Sequence, residues 1–574
     1  MSKLLVYLKP FRGFVALVLV LVFLQSLSEL YLPTLMADIV NIGVQNGDTS
    51  YIFKMGGWML LVAAFGALCT IIASYFSAKA ATGFGRDLRS KLFSQVSGFS
   101  QQEFDKLGTA SLIVRTTNDV TQVQQVLIMI MRMMIVAPMM AIGGIIMALS
   151  KDATLALVII GIMPILALAI FLIARKGVPL FKAIQIKLDK LNLVQREGLT
   201  GIRVIRAFNR INYEKRKFDT ANRDLTDTSL KVNRIMALMM PTMMLILNFS
   251  SIAIVWFGGI RIDQGHMQVG DLMAFIQYAM MILFSLIMLS FIFVMLPRAA
   301  ASAARIREVL ELSGSIRETE QPTQPGRRGL VEFRDVTFRY PGAEQAALQN
   351  ISFKAMPGEV TAIIGGTGSG KSTLISLIPR FYDVESGSVL VDGVDVREMA
   401  QESLRQKIGF VPQKAVLFSG TIADNIRYGK EDADDEEVRH AAEVAQALDF
   451  VMKMEGGFDA RISQGGSNVS GGQKQRLSIA RALIRRPEIY VFDDSFSALD
   501  YKTDAQLRKA LQAETGEAAV IIVAQRVSTV VDADRIIVLE DGRIAGNGTH
   551  QQLLQDNKVY KEIVASQLSE EEIA

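Results

Sequence analysis

A glycine-rich segment spans residues 365–373 and ends in a lysine and two hydroxyl residues. Its nine residues read G-G-T-G-S-G-K-S-T and match the spacing G-x-x-x-x-G-K-S. An apolar run, 360–364, precedes them and a helix-like run, 374–378, follows, which is the required order of strand, loop and helix. Glycines let backbone N–H groups converge on phosphate oxygens, with Lys371 reaching the terminal phosphates and Ser372 ligating Mg²⁺. The predicted contacts are Gly365, Gly366, Thr367, Gly368, Ser369, Gly370, Lys371, Ser372 and Thr373.

An acid at the end of an apolar strand supplies a second part of the same chemistry. Residues 489–492 read I-Y-V-F and lead into Asp493. A carboxylate in this position can hold Mg²⁺ through water and offset the charge of the triphosphate. The two segments together predict ATP and Mg²⁺ as ligands, with Ser372 and Asp493 as metal-binding residues.

The surrounding motifs resemble those of ATP-binding cassette (ABC) proteins, and specifically of their exporters. Residues 469–473 read V-S-G-G-Q and are similar to the family signature, with Val469 in place of the usual leucine. Tyr340 is similar to the aromatic residue that stacks on adenine, and Gln413 to the glutamine that senses Mg²⁺ and the attacking water. The resemblance covers about residues 329–565 and implies further nucleotide contacts. These are Tyr340, Ser470, Gly471, Gly472, Gln473 and Asp500.

Two positions depart from the pattern of this family, and both belong to its hydrolytic machinery. Asp494 stands where the family has a general-base glutamate, and Gln525 where it has a switch histidine. Aspartate is one methylene shorter, and general-base work depends first on hydrogen-bond reach. A glutamine can donate a hydrogen bond to phosphate but cannot carry the charge of a protonated histidine. We therefore expect impaired hydrolysis at the site formed by Asp494, Gln525 and Gln413.

The resemblance implies that two cassettes close on each other, each ATP lying between one phosphate loop and the opposite signature. A pair of identical chains would place Asp494 and Gln525 in both sites. The signature of this chain is intact, so the sequence favours a heterodimer of half-transporters. This chain then resembles the degenerate-site subunit of heterodimeric bacterial multidrug ABC exporters. We expect the partner to carry glutamate and histidine at the matching positions and an altered signature.

The N-terminal half is of a different kind. The chain has 574 residues, and its hydrophobic fraction of 50% is concentrated before about residue 300. Each apolar stretch is long enough to cross a hydrocarbon core about 30 Å thick. The predicted fold is therefore an all-α membrane domain with six spanning helices, fused to an α/β P-loop nucleotide-binding domain of the ABC cassette type. The apolar stretches lie near 14–35, 55–76, 126–149, 155–174, 235–257 and 272–296. The predicted boundaries are 1–312 for the membrane domain, 313–328 for a linker and 329–574 for the cassette.

Lysine and arginine concentrate before the first span, after the second and after the fourth. By the positive-inside rule these loops, and both termini, lie on the cytoplasmic side of the membrane. The resemblance to bacterial exporters implies that this membrane is a bacterial plasma membrane. This orientation explains the net charge of +4 better than nucleic-acid binding does. The sequence shows no pattern of basic and aromatic residues that would indicate a nucleic-acid-binding groove. Histidine occurs three times, at scattered positions, so no metal other than nucleotide-bound Mg²⁺ is expected.

Two cytoplasmic segments resemble the coupling turns that link the membrane helices of exporters to their cassettes. Residues 104–109 read F-D-K-L-G-T and resemble the first, while 207–214 read A-F-N-R-I-N-Y-E and resemble the second. The flanking loops contain few helix breakers and are predicted to be long helices that leave the bilayer. The implied coupling residues are Gly108, Phe208, Asn209 and Arg210.

The transported molecule is the least defined part of the sequence. Methionine-rich spans suit varied apolar ligands, but methionine also serves as ordinary packing. Glu29 falls within the first apolar span, where an ionisable group favours a cavity-facing position and a contact with substrate. The resemblance to ABC exporters implies export of small amphipathic molecules from the cytoplasm or inner leaflet through the lipid bilayer by alternating access. The alternatives are a homodimeric lipid flippase and an ATP-gated regulatory subunit.

Overall fold

A computed structural model describes residues 2–319, 321–323 and 329–567. The chain forms two compact units. The membrane unit comprises Met1–Ser97 and Ala110–Leu312, and the cassette unit comprises Gly98–Thr109 and Ser313–Ala574. The predicted linker, 313–328, lies only partly within the described residues, since Glu320 and 324–328 fall outside them.

Six apolar helical segments dominate the described part of the membrane unit, each long enough to cross a membrane. They confirm the predicted all-α membrane domain. The long helices are α1 (Arg12–Asp38), α2 (Thr49–Ser97), α5 (Val120–Lys151), α6 (Ala153–Thr200), α9 (Met239–Asp263) and α10 (Val269–Glu311). The shorter ones are α3 (Gln101–Leu107), α4 (Thr109–Val114), α7 (Ile202–Ala207) and α8 (Ile211–Ala237). A 3₁₀ segment covers Ser2–Phe11, and π-helical turns cover Ile39–Val44 and Arg115–Asp119.

The two long loops are largely helical, with breaks at special backbone positions. Helix α2 has 49 residues, so it extends about 70 Å and is far longer than the hydrocarbon core is thick. Gly108 ends α3 with φ of 74°, and Asn209 turns the chain between α7 and α8 with φ of 51°. Glycine and asparagine are the residues that enter this left-handed region most readily. The breaks therefore fall in the segments that resemble coupling turns.

Tyr278 of α10 anchors the core of the membrane unit. Its side chain is fully buried, donates to the Leu30 carbonyl at 3.1 Å and lies 2.7 Å from the Thr34 hydroxyl. Buried Asp119, at the end of the second π-helical turn, accepts from Arg305 Nε at 2.8 Å and from Ser302 at 2.9 Å. These bonds satisfy polar groups that would be costly to leave unpaired in an apolar interior.

The cassette unit contains a six-stranded sheet of order β12-β11-β3-β10-β9-β6. All neighbouring strands pair in parallel except β12, which is antiparallel to β11, and β9 and β10 are buried along their whole length. Such apolar runs are typical of parallel strands covered on both faces. The sheet strands are β3 (Val360–Gly365), β6 (Ile408–Val411), β9 (Ile489–Asp493), β10 (Ala519–Val523), β11 (Arg535–Glu540) and β12 (Arg543–Gly548).

Two further sheets and the helices α11 to α19 complete the described part of the cassette unit, to which α3 also belongs. The antiparallel sheet has the order β2-β1-β4-β5, and β7 pairs with β8. Their bounds are β1 (Val331–Phe338), β2 (Leu348–Ala355), β4 (Ser386–Val391), β5 (Val394–Asp395), β7 (Gly420–Thr421) and β8 (Arg461–Ile462). The helices are α11 (Lys371–Ser376), α12 (Gln401–Gln406), α13 (Ile422–Arg427), α14 (Asp435–Val444), α15 (Leu448–Lys453), α16 (Gly471–Leu483), α17 (Tyr501–Glu514), α18 (His550–Asp556) and α19 (Lys558–Ala565). This α/β unit confirms the second half of the predicted fold class.

Lys407 joins two sheets of the cassette. Its ammonium lies 2.9 Å from Asp392, which follows β4, and 2.6 Å from Glu488, which precedes β9. The Asp392 side chain is fully buried and the Lys407 side chain is only 18% exposed. Removing one member of a buried ion pair leaves an uncompensated charge in a poorly solvated place.

We predict that Lys407→Met destabilises the cassette by about 3 kcal/mol, which lowers its melting temperature by about 6 to 12 °C. Calorimetry of the full-length protein measures this. The matched control is Lys354→Met, because Lys354 is 58% exposed in its ion pair with Glu332. An exposed pair contributes about 0 to 1 kcal/mol, so the control should shift the transition little. Equal shifts in the two variants would contradict the assignment.

Candidate functional site

The phosphate loop joins the end of β3 to the start of α11. Gly368 and Gly370 have φ of 84° and 98°, values that glycine adopts without strain. A Cβ at Gly366 or Gly368 would meet nothing within 4 Å, so the loop faces open space. The buried Ser369 hydroxyl has no hydrogen-bond partner among the described residues. A concave loop with an unpaired buried donor fits a polyanionic ligand.

Lys371 folds back onto its own loop. Its ammonium donates to the carbonyls of Gly365 at 2.8 Å and Gly366 at 2.7 Å. Burial lowers the pKa of this lysine, while Asp494 and Asp493 raise it. Loop carbonyls are weak partners for an ammonium, so phosphate oxygens could replace them at small cost.

Ser372 and Asp493 lie together, as predicted for a shared metal ion. The Ser372 hydroxyl donates to Asp493 Oδ1 at 2.9 Å. Burial raises the pKa of Asp493, which is only 8% exposed. A hydroxyl and a carboxylate are oxygen ligands of the kind that Mg²⁺ takes, so these residues fit the ion. Within the described chain, no cluster of three or more histidine, cysteine or acidic residues forms another metal site.

Asp494, Gln413 and Gln525 form one hydrogen-bonded group. The Gln525 amide donates to Asp494 Oδ2 at 2.9 Å, and the Gln413 amide approaches the same oxygen at 3.2 Å. Asp494 has φ of 45°, and its N–H donates to the Val523 carbonyl at 2.9 Å. Burial raises the pKa of its carboxyl group. The structure thus brings together the three residues predicted to act in hydrolysis, with both glutamines on a single carboxylate oxygen.

Tyr340 stands beside the end of the phosphate loop. Its hydroxyl lies 2.9 Å from the Thr373 hydroxyl, and 37% of the residue is exposed. Its ring contacts Phe338 and Tyr382 edge-on, with centroids 4.9 and 5.5 Å away. Because the residue is 37% exposed, part of the ring is accessible for stacking.

The signature residues begin helix α16. Ser470 accepts a hydrogen bond from the Gln473 N–H at 3.3 Å, and the Gln473 side chain accepts one from the Ser470 N–H at 2.9 Å. This capping box starts a 13-residue helix whose N-terminus favours anions. A Cβ at Gly471 would meet nothing within 4 Å, whereas one at Gly472 would lie 3.2 Å from the Ala498 carbonyl.

Asp500 has a local structural role in this chain. It caps α17 by accepting from the Thr503 N–H at 3.0 Å and from the Thr503 hydroxyl at 2.7 Å. These two hydrogen bonds lower the pKa of its carboxyl group. A contact of Asp500 with nucleotide stays a prediction.

The remaining predicted residues belong to other segments of the chain. Gly108 belongs to the cassette unit, whereas Phe208, Asn209 and Arg210 belong to the membrane unit, where Phe208 is 74% exposed. Glu29 is partly buried in α1 and accepts from the Gln25 amide at 2.9 Å. A direct contact of Glu29 with substrate stays a prediction.

Two contacts that the sequence patterns did not predict hold α3 in the cassette unit. Tyr382 donates to Asp105 Oδ2 at 2.8 Å, and buried Glu103 accepts from the Ser315 N–H at 3.0 Å. Glu103 also completes a capping box with Ser100. The spacing S-x-x-E could have revealed the cap, but nothing local points from Asp105 to Tyr382.

Comparison with known proteins agrees with this architecture. Residues 15–287 match the family described as the ABC transporter transmembrane region, and residues 348–497 match the family described as ABC transporter. A solved structure described as a bacterial Atm1-family ABC exporter with ATP bound has a TM-score of 0.81 and 25% identity. The match covers 97% of this chain and 99% of that one.

Several relatives align over nearly the whole chain. An uncharacterized ABC transporter ATP-binding protein of Mycobacterium tuberculosis (strain CDC 1551 / Oshkosh) is 46% identical over 98% of this chain and 97% of its own length. One of Bacillus subtilis (strain 168) is 40% identical over 100% and 99%. An ATP-dependent lipid A-core flippase of Pseudomonas fluorescens (strain Pf0-1) is 34% identical over 88% and 84%. The chain therefore belongs to the ABC transporter family and has the fold of an ABC exporter, with membrane region and ATP-binding cassette in one polypeptide.

Proposed function

We propose that this chain is one half of a heterodimeric ABC exporter and that it supplies the degenerate ATP site. The observation that carries the proposal is the group formed by Asp494, Gln413 and Gln525. Its acid is one methylene shorter than glutamate, and the residue at the switch position is neutral. Both substitutions act on the same hydrolytic step, so they reinforce each other.

The residues around the phosphate loop fit MgATP. Lys371 and the loop N–H groups would hold the phosphates. Ser372, Asp493 and Gln413 would hold the Mg²⁺. Tyr340 would stack on the adenine. The bound nucleotide supplies the phosphoanhydride whose cleavage resets the transport cycle. What this chain contributes is retention and orientation of the nucleotide.

Asp494 is poorly arranged to orient an attacking water. Both glutamine amides donate to its Oδ2, so that oxygen is already satisfied. A displacement of about 1 Å from the productive position can cost about a hundredfold in rate. ATP would then persist at this site through several turnovers, and hydrolysis would occur mainly where Ser470 to Gln473 meet the partner's phosphate loop.

Transport follows from coupling the cassettes to the helices. Closure of two cassettes would displace the turns at Gly108 and at Phe208 to Arg210, and with them the membrane helices. We place both termini and the cassette on the cytoplasmic side of a bacterial plasma membrane, because arginine and lysine cluster in the loops assigned to that side. The transported class is small amphipathic molecules, for which Glu29 provides a polar contact within α1.

A second candidate is a homodimeric lipid flippase with slow but adequate hydrolysis by Asp494. Its support is the 34% identity to proteins described as ATP-dependent lipid A-core flippases. In such a homodimer each site combines the phosphate loop and the signature of the same sequence. The two candidates therefore differ in how the complex responds to damage in one motif or the other.

We predict that damaging the signature reduces ATP hydrolysis far more than damaging the phosphate loop. The matched variants are Gly471→Asp and Gly366→Asp, because a Cβ at either glycine meets nothing within 4 Å and neither φ is positive. Each variant adds a carboxylate beside the triphosphate. Gly471→Asp should lower the ATPase rate of the native complex about a hundredfold, which is the scale of losing one charge-stabilising contact. Gly366→Asp should lower the same rate by less than about threefold.

The readout is phosphate release by the purified complex, with MgATP binding measured alongside. Binding of fluorescent ATP should fall by about half in Gly366→Asp, because one of two sites is lost. Equal losses of ATPase in both variants would contradict the asymmetric assignment and support the homodimer.

We predict that Asp494→Glu together with Gln525→His raises hydrolysis at this chain's own site by about tenfold to a hundredfold, because the restored methylene brings the base to its water. The rate is measured with the partner's phosphate-loop lysine replaced, so that only this site turns over, and with the partner's altered signature restored to S-G-G-Q, so that this site is otherwise complete. Asp494→Asn with Gln525→His is the control and should show no gain. No increase in the first variant would count against an impaired site.

We predict that Glu29→Gln reduces transport of cationic compounds by about fivefold or more and leaves neutral ones nearly unchanged, because the amide keeps the size and loses the charge. Gln25→Leu, which removes only the hydrogen-bond donor to Glu29, serves as the control. Uptake of paired cationic and neutral dyes into inverted vesicles measures the difference. Equal effects on both dye classes would exclude a charge contact at Glu29.

A further inference from the structure

A chain of side-chain contacts runs from the proposed adenine-binding ring to helix α3. Tyr340 and Tyr382 meet edge-on at 5.5 Å, and Phe338 lies 4.9 Å from the first ring and 5.4 Å from the second. The Tyr382 hydroxyl then donates to Asp105 Oδ2 at 2.8 Å. All four residues belong to the cassette unit.

The hydrogen bond between Tyr382 and Asp105 is well defined chemically. Tyr382 is partly buried, and burial together with Asp105 raises the pKa of its phenol. The hydroxyl therefore stays protonated and donates to a carboxylate, which is the stronger class of hydrogen bond. The second oxygen of Asp105 accepts from the Gln101 amide at 3.1 Å, and this bond orients the carboxylate.

Helix α3 is also fastened to the start of the linker. Glu103 is 4% exposed and accepts from the Ser315 N–H at 3.0 Å and from the Ser100 N–H at 2.8 Å. The Ser100 and Ser315 hydroxyls lie 2.8 Å apart. Glu103 thus fixes α3 to residues that continue into the cassette, while Asp105 binds the hydroxyl of Tyr382, whose ring contacts Tyr340.

We propose that Tyr382 is a positioning residue that ties the occupancy of the adenine-binding ring to the movement of α3. The tie consists of the ring contact with Tyr340 and the hydrogen bond to Asp105. This inference rests on the proposed function, because it assumes that ATP stacks on Tyr340 and that α3 drives the membrane helices. Without the hydrogen bond, the nucleotide would still bind, but α3 would follow the cassette less closely.

The test separates nucleotide binding from its effect on the membrane helices. A cysteine introduced by Phe53→Cys, at an 82% exposed position of α2, carries a bimane fluorophore, while the native Cys69 is buried. The full-length complex is titrated with ATP, and the bimane change is recorded at saturation. Affinity for a fluorescent ATP analogue is measured in the same preparations.

In Tyr382→Phe, which keeps the ring and removes the hydroxyl, we expect ATP affinity within about twofold of the parent. The bimane change at saturating ATP should fall to about half or less, because a hydrogen bond to a charged group is lost. Asp105→Asn keeps an acceptor and should retain most of the change, whereas Asp105→Leu should lose it as Tyr382→Phe does. The double variant Tyr382→Phe with Asp105→Leu should lose no more of the bimane change than either single variant, because both substitutions remove the same hydrogen bond.

Tyr428→Phe is the matched control, because it removes the hydroxyl of an exposed cassette tyrosine far along the chain from these residues. It should respond like the parent. A full bimane response in Tyr382→Phe would overturn the inference while leaving the proposed function intact. A parent that binds ATP without any bimane change would overturn both, and additive losses in the double variant would overturn the direct link between Tyr382 and Asp105.

Discussion

The parallel pairing of β3, β10 and β9 is the constraint on which the nucleotide site depends. It brings the carboxyl ends of three strands to one edge, where the phosphate loop, Asp493 and the residues before Gln525 emerge together. The three strands are mainly apolar and buried over most of their length, so the register is held by burial on both faces. Asp494 and Gln525 follow β9 and β10 rather than lying within them, so the proposed alteration of the hydrolytic group falls outside the paired strands.

Local patterns in the sequence predicted the fold class, because each element has its own signal. Apolar runs of spanning length give the membrane helices, and the phosphate loop with the strand before Asp493 gives the cassette. The contacts within the site could not be predicted from such local patterns. Gln413 and Gln525 meet Asp494 across 81 and 31 residues, and Tyr382 meets Asp105 across 277. Such contacts depend on the order of the strands in the sheet and on the connections between them, which hydrophobic periodicity does not encode.

The proposed asymmetric exporter accounts for three unusual features of this chain. A short acid with two amides on one oxygen, a neutral residue at the switch position and an intact signature are difficult to reconcile with two equal catalytic sites. They suit a subunit that holds ATP in its own phosphate loop and completes a partner's site. A retained ATP can bias the conformational equilibrium only if it binds one state more tightly than the other. The Tyr382 tie to α3 offers a route by which that preference reaches the membrane helices.

The most direct test is the composition and nucleotide content of the complex isolated from native membranes through a tag on this chain. Mass spectrometry identifies the subunits, and single-turnover measurements with labelled ATP follow loss of nucleotide from each site. The asymmetric account predicts a second, different ABC half with glutamate and histidine at the hydrolytic positions, and slow loss of ATP from the site that contains Asp494. A complex of this chain with itself, hydrolysing ATP rapidly at both sites, would contradict it.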